Sequence, residues 1–228
     1  DIQWVAQSAI SDAVKKSNAK SGTVIVMDPK TGAILAQASA PTFDPANPKS
    51  ITLNSIRNPA VQDVYEPGST GKVITVAAAL EEKKTTPTSI FTIPYELKIG
   101  TRKYHDHEKH STERLTTTGL LAISSNTGAI QVGQELGSNT LFNYLNKFGI
   151  GQNTGSHLPG ESSGILHPVE QWTDSSLPTM SFGQGYSVTA LQATSVFATI
   201  ANDGIRVTPN VVAGTTDSTG NFSASKPQ

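Results

Sequence analysis

The sequence predicts an α/β chain in which an antiparallel hairpin is covered by helices and most of the remainder is helical. Three observations predict it. Thr23 to Met27 and Ala33 to Ala38 are apolar runs separated by Asp28-Pro-Lys-Thr-Gly32, turn chemistry that folds them into a hairpin. Both faces of that hairpin are mostly apolar, so other elements must cover it. Helical spacing or strongly apolar runs then recur at 72–82, 115–125, 128–136, 140–148 and 188–201.

The elements follow in order. Asp1 is placed to cap a helix, and Ile2, Val5, Ala6, Ala9, Ile10, Ala13 and Val14 recur at helical spacing, giving a helix to about Lys16. After the hairpin, Pro41 to Pro48 is an irregular linker. Tyr65-Glu-Pro-Gly-Ser69 is a turn that leads into the helix at Lys72 to Glu82. Residues 84–115 read as a polar excursion with short strands, and 149–168 as a Gly/Ser/Pro loop. Gly204 to Thr216 is a turn and an extended piece, followed by a polar tail. The expected organisation is a partial domain: 1–40 contributes helix and hairpin to a sheet subdomain, 60–204 is mostly helical, and 205–228 is an extended tail leading to further strands.

Composition excludes several classes. The chain has 228 residues, of which 36% are hydrophobic, enough for a core in one domain or in two subdomains sharing a site. Charged residues are only 15%, against about 25% in soluble domains at large. The balance is 17 basic against 18 acidic residues with no basic run, which argues against nucleic acid as the partner. The longest strongly apolar run, Val73 to Leu80, is far short of the ~18 residues of a membrane span. Cysteine is absent, which removes disulfides, Cys-based zinc sites and thiol catalysis without fixing the compartment. The chain opens on Asp1 rather than Met, so a processed product or an excised piece is expected.

Glu66-Pro-Gly-Ser-Thr-Gly-Lys72 carries the strongest chemical signal. The turn delivers Ser69 to the start of a helix, and Lys72, three residues on, shares its face. A neutral amine there can take the hydroxyl proton, and burial or a neighbouring cation lowers a lysine's pKa enough to allow it. The helix N-terminus places N–H groups and a positive dipole end where an oxyanion would form. S-x-x-K alone is weak: Ser17/Lys20 and Ser223/Lys226 match it too, in a polar helix end and a polar tail. The second signal is Ser124-Ser125-Asn126, the chain's one S-x-N, at a junction of two short helices. A hydroxyl and an amide there can relay a proton and hold a substrate amide; a helix-capping Ser/Asn cluster is the alternative.

Together these motifs resemble a known family. Tyr65-Glu-Pro-Gly-Ser-Thr-Gly-Lys72, Ser124-Ser-Asn-Thr-Gly128, Leu158-Pro-Gly-Glu161 and Phe182-Gly-Gln-Gly185 are similar to the transpeptidase domain of class B penicillin-binding proteins, the division- or elongation-associated monofunctional enzymes. Asp1-Ile-Gln, the Met27 to Ala36 hairpin, Val188-Thr-Ala-Leu-Gln192 and Ile200-Ala-Asn-Asp-Gly204 resemble it as well, in unbroken order to about Val212. The resemblance implies a penicillin-binding and serine β-lactamase-like transpeptidase fold: an antiparallel sheet flanked by helices, an all-helical subdomain, and a cleft between them. It implies that Ser69 is the acylated nucleophile, Lys72 its base and Ser124 a proton shuttle. Asn126 would bind the substrate amide and Gln184 would sit on the cleft rim, while Glu66 supports the turn. The implied reaction is acylation by a D-Ala-D-Ala stem peptide of peptidoglycan, loss of the terminal D-Ala, and attack by an amine of a neighbouring strand. β-Lactams would acylate the same serine, with no metal or cofactor. The implied setting is the extracytoplasmic face of the bacterial membrane, with cell-wall and divisome proteins as partners and the membrane anchor outside this chain. An acyl-serine β-lactam sensor, a β-lactamase-like protein and an inactive scaffold fragment are the alternatives. No residue stands out as a deacylation base, which favours the transpeptidase over the β-lactamase.

One family motif is missing. K-[ST]-G should follow S-x-N on a core strand, yet Lys20-Ser-Gly22 and Lys30-Thr-Gly32 both precede Ser69, in a helix end and a hairpin turn. Such a strand supplies a second oxyanion N–H, and losing one such donor costs about 10²–10³ in rate. Without it, the hairpin at 23–38 is expected to expose an apolar face and an open edge. We therefore expect a piece of a larger enzyme with an incomplete site, whose remainder is a second polypeptide or further chain.

Two other features have bland readings. His105-Asp-His-Glu-Lys-His110 gathers three of the five histidines, which suits zinc or, more simply, a solvated loop. Trp4 reads as a helix-packing aromatic and Trp172 as a surface-loop one.

Overall fold

The computed structural model describes residues 1–53 and 55–225, so Lys226 of the Ser223/Lys226 pair and the end of the tail lie outside the described residues. Along the chain come α1 (Ile2–Ser17), β1 (Gly22–Met27), β2 (Ile34–Ala40), α2 (Pro59–Gln62), α3 (Lys72–Glu81), β3 (Ile90–Ile93), β4 (Glu96–Ile99) and β5 (Arg102–His105). Then follow β6 (Glu113–Thr116), α4 (Thr117–Ala122), α5 (Asn126–Leu136), α6 (Ser138–Lys147), α7 (Ser176–Ser181), α8 (Ala190–Ala201), β7 (Gly214–Thr216) and β8 (Phe222–Ala224). Two compact units interleave along the chain. The first holds Asp1–Val64, Gln152–Ser163 and the residues from Thr189 onward, and the second holds Tyr65–Gly151 and Gly164–Val188. The sequence reading kept 60–204 in one block; here 152–163 and α8 group with the hairpin instead.

In the first unit, β1 and β2 pair antiparallel from Gly22↔Ala40 to Met27↔Ile34, with a register shift at Val26/Met27. The period of two splits their apolar side chains between faces. Val24, Val26, Ala36 and Ala38 pack with Ala6 and Ile10 of α1. Ile25 and Ile34 pack with Ala60 and Val61 of α2, Leu191 of α8 and Leu158. The open apolar face expected from the sequence is therefore corrected, because helices occupy both faces of the hairpin. At its turn end Ile34 N–H donates to Asn210 O and Asn210 N–H to Gly32 O, each 2.8 Å. α1 ends as expected, with Asn18 in the left-handed region at φ 52°, but the Asp1 side chain makes no capping bond. Trp4 is corrected too: it is 74% exposed and is not a packing residue within this chain.

The second unit is built around α3, α5, α6 and α7, whose apolar faces bury Ile74, Val76, Ile130, Val132, Leu141 and Leu145. α7 was not legible in the sequence. It packs on α5 at Gly133, where a Cβ would lie 1.9 Å from Ser181 Oγ. The excursion at 84–115 carries short strands, pairing β3 with β6 and β4 with β5, so "all-helical" holds only outside it. The helix expected at 115–125 starts later, because Leu115 and Thr116 are still in β6. Thr116 Oγ1 then caps α4 by accepting from Gly119 N–H at 3.0 Å. Every described strand lies in a two-stranded antiparallel ladder.

Gly133→Ala should overpack the α5–α7 contact and destabilise the protein by about 1–3 kcal/mol. A thermal melt reads this as a lowered Tm.

Candidate active site

Ser69, Lys72, Ser124, Asn126 and Gln184 all belong to the second unit. Gly68–Gly71 forms a 3₁₀ turn that runs directly into α3 at Lys72. This puts Ser69 exposed at the mouth of the turn and Lys72 one turn on, only 1% exposed. Lys72 Nζ lies 3.2 Å from Ser69 Oγ, 3.0 Å from Ser124 Oγ and 2.5 Å from Ser124 O. Burial pushes the amine down to about 8, against the opposing pull of the Asp106 charge.

The turn is held from a distance in sequence. Gly68 N–H donates to Gly183 O at 2.8 Å, and Glu66 Oε1 accepts from Gly185 N–H at 2.8 Å. Tyr65 and Val188 exchange backbone bonds of 3.0 and 2.9 Å. Side chains are excluded along this clasp: a Cβ on Gly183 would lie 1.9 Å from Gly68 O, and one on Gly71 2.3 Å from the Tyr186 hydroxyl. Phe182-Gly-Gln-Gly185 is thus the backbone partner of the Ser69 turn. Gln184 sits exposed on that loop, its N–H bonded to Thr179 O.

Ser124 and Ser125 do different things, which their adjacency in sequence conceals. Ser125 is the α5 cap, its Oγ accepting from Gly128 N–H at 2.8 Å. Ser124 makes no cap; it sits in the left-handed region at φ 60°, where its hydroxyl and carbonyl both meet Lys72 Nζ. A non-glycine residue is uncommon there, and such strain clusters at functional sites.

Asp106 holds this junction and was missed in the sequence. It is buried, and its Oδ1 accepts from the N–H groups of Asn126 (2.5 Å) and Thr127 (2.9 Å). Its Oδ2 accepts from Ser125 Oγ at 2.8 Å and meets His110 Nε2 at 3.0 Å. Burial pushes its carboxyl up, but these bonds outweigh it and hold the group below the usual carboxylate range. A carboxylate there also complements the positive end of α5. Asn126 Nδ2 donates to His105 O at 3.1 Å. The solvated-loop reading of 105–110 is therefore corrected at Asp106 and His110, while His107, Glu108 and Lys109 are exposed. No group of three or more candidate metal ligands occurs among the described residues. The available signal was Asp106 itself, an acid preceding a capped S-x-N helix.

A recess of about 710 Å³ opens over these groups, lined by Ser69, Ser124 and Asn126 on one side and by His107, Glu108 and Lys109 on another. A hydroxyl, a buried amine of lowered pKa and a second hydroxyl in mutual contact form an arrangement suited to acyl transfer through serine.

Comparison with known proteins agrees with that chemistry. Residues 22–228 match the family model for the penicillin binding protein transpeptidase domain. The chain is 39% identical over 216 residues to penicillin-binding protein PbpB of Mycolicibacterium smegmatis, covering 94% of this chain and 33% of that protein. It is 36% identical over 205 residues to peptidoglycan D,D-transpeptidase FtsI of Escherichia coli, covering 90% of this chain and 34% of that one. The structure of penicillin-binding protein 3 of Mycobacterium tuberculosis complexed with aztreonam superposes with a TM-score of 0.95 at 36% identity, over 100% of this chain and 51% of that one. The chain belongs to the penicillin-binding protein transpeptidase family, and its fold is the one these structures share. It spans about a third of the length of these two curated relatives.

Glu66→Ala removes the acceptor of Gly185 N–H. At about 1 kcal/mol for an exposed bond of this kind, exchange of the Gly185 amide should quicken about fivefold in hydrogen-exchange NMR.

Proposed function

We propose that this chain carries the nucleophile and base of a peptidoglycan D,D-transpeptidase. The observation that carries the reading is the buried Lys72 amine in contact with both Ser69 Oγ and Ser124 Oγ. Ser69 Oγ attacks the carbonyl of the penultimate D-Ala of a stem peptide as neutral Lys72 takes its proton. Ser124 passes a proton to the departing amine, and the terminal D-Ala leaves. The amine of a second strand then attacks the ester, its proton returns through Lys72 to Ser69 Oγ, and an amide cross-link forms.

Asn126 binds the substrate amide, and Gln184 contacts it from the rim. The Ser69 N–H, at the positive end of the helical turn, is one oxyanion donor. The second donor and the cationic clamp belong to K-[ST]-G, a triplet absent after Asn126 in these residues. We assign it to polypeptide outside residues 1–228, whether continuous with them or separate. No described helix is long and apolar enough to cross a membrane. The substrate nonetheless sets the work on the extracytoplasmic face of the bacterial membrane, among cell-wall proteins. β-Lactams are pseudo-substrates of the same serine, as the aztreonam complex of the M. tuberculosis relative suggests.

The intact mass of the full-length protein should rise by one penicillin, with the adduct on Ser69, and Ser69→Ala should abolish the gain. An unreactive wild type would overturn the reading. The acylation rate should also climb with pH about a midpoint near 8, because the base is the neutral amine, roughly a tenth of the population at pH 7 and most of it at pH 9. Lys72→Met should cut the rate by about 10²–10⁴ and flatten that profile, as stopped-flow acylation would record.

A further inference from the structure

His110 takes no part in the chemistry above. It is half-buried, and its two ring nitrogens meet two different oxygens. Nδ1 lies 2.7 Å from Ser111 O, and Nε2 lies 3.0 Å from Asp106 Oδ2. Both oxygens are acceptors only, since one is a carbonyl and the other belongs to a carboxyl held ionised by its hydrogen bonds. A neutral imidazole donates from one nitrogen alone. Both contacts are hydrogen bonds only when both nitrogens carry protons, so the geometry calls for the imidazolium.

The surroundings favour that charge. The Ser111 carbonyl and Asp106 raise the His110 pKa above its ordinary 6.5, with Glu113 adding to them against some desolvation. Tyr95 packs edge-on to the His110 ring at 6.0 Å and meets the His105 ring at a 30° tilt, 5.6 Å between centroids. His107, Glu108 and Lys109 line the recess beside it. Lys72 feels the same Asp106 charge that His110 neutralises.

Asp106 in turn holds the N–H groups of Asn126 and Thr127 and the Ser125 hydroxyl. The ring therefore acts at one remove on the segment that presents Ser124 and Asn126. We propose that His110, as an imidazolium clamped between Ser111 O and Asp106, is a positioning residue that fixes the Ser124–Asn126 segment against Ser69. The proposal rests on the acyl-serine reading. Losing the proton forces the ring to give up one acceptor, which undoes the clamp and leaves the Asp106 charge to neutral donors alone.

The test follows the second-order rate of Ser69 acylation by a fluorescent penicillin in the full-length protein. Wild type, His110→Ala and His110→Gln are compared from pH 5.5 to 9.5. His110→Ala should be slower at pH 6 by about tenfold, the scale of a small misplacement of reacting groups. His110→Gln keeps one donor without the charge and should fall between. The ratio of wild type to His110→Ala should shrink toward one as the ring loses its proton. The ¹⁵N NMR signals of the ring should show both nitrogens protonated, with a midpoint above 6.5. A ratio that stays constant across the range, or a neutral single-tautomer ring at pH 6, overturns the proposal. A wild type that is never acylated at Ser69 overturns the transpeptidase reading instead, and the NMR signals then decide the clamp by themselves.

Discussion

The site depends on one buried amine. Among the described residues, Lys72 and Asp106 are the charged side chains buried in the second unit, and Lys72 makes contacts at 3.2 Å to Ser69 Oγ and 3.0 Å to Ser124 Oγ. Burying a cation is costly unless it is paired or loses its proton. The fold gives Lys72 three oxygens and no carboxylate in contact, and so lowers its pKa toward 8. The feature that destabilises the charged lysine is the one that gives it a neutral fraction near neutral pH, as the proposed base requires. The left-handed Ser124 belongs to the same arrangement, since it turns both a hydroxyl and a carbonyl toward one nitrogen.

Asp106 sits behind this site as its counterweight. Its charge pulls Lys72 toward protonation, yet its hydrogen bonds anchor the α5 N-terminus. Burial outweighs the pull of Asp106 at Lys72, while the carboxylate itself is met by hydrogen-bond donors, His110 among them. Anchoring and electrostatics are thus separated by distance: the amides lie against the carboxylate, and the amine feels only what is left of its field.

Much of this was legible in the residues. The hairpin announced itself through Asp28-Pro-Lys-Thr-Gly32, whose Asp28 Oδ1 accepts from Lys30 N–H at 2.8 Å. Ser69 and Lys72 were readable because their geometry is local: a turn followed by a helix fixes the spacing. Glu161, the last residue of the Leu158-Pro-Gly-Glu161 motif, accepts from Thr154 and Ser156 within its own loop. What was not legible depends on tertiary pairing. Asp106 and His110 sit in a charged run whose pattern resembles any solvated loop, and only the approach of α5 gives them work. α7 is short, contains Pro178 and lacks a helical stripe, so its helix exists because Gly133 lets it seat on α5. Trp4 shows the reverse error, since helical spacing says which residues share a face and not which face is covered.

The clasp between the Ser69 turn and the 183–188 segment has a consequence for biogenesis. Its side-chain bond, from Gly185 N–H to Glu66, spans 119 residues. Closing so long a loop carries an entropic cost that local contacts cannot supply, and contacts of this kind form late. Synthesis proceeds from the N-terminus at about 5–20 residues per second. Ser69 would therefore leave the ribosome many seconds before its turn can be pinned. Through that interval Ser69 and Lys72 are neighbours in sequence on a turn that is not yet pinned. The geometry of the turn is in this sense completed by the emergence of a glycine-rich loop that supplies neither side chain.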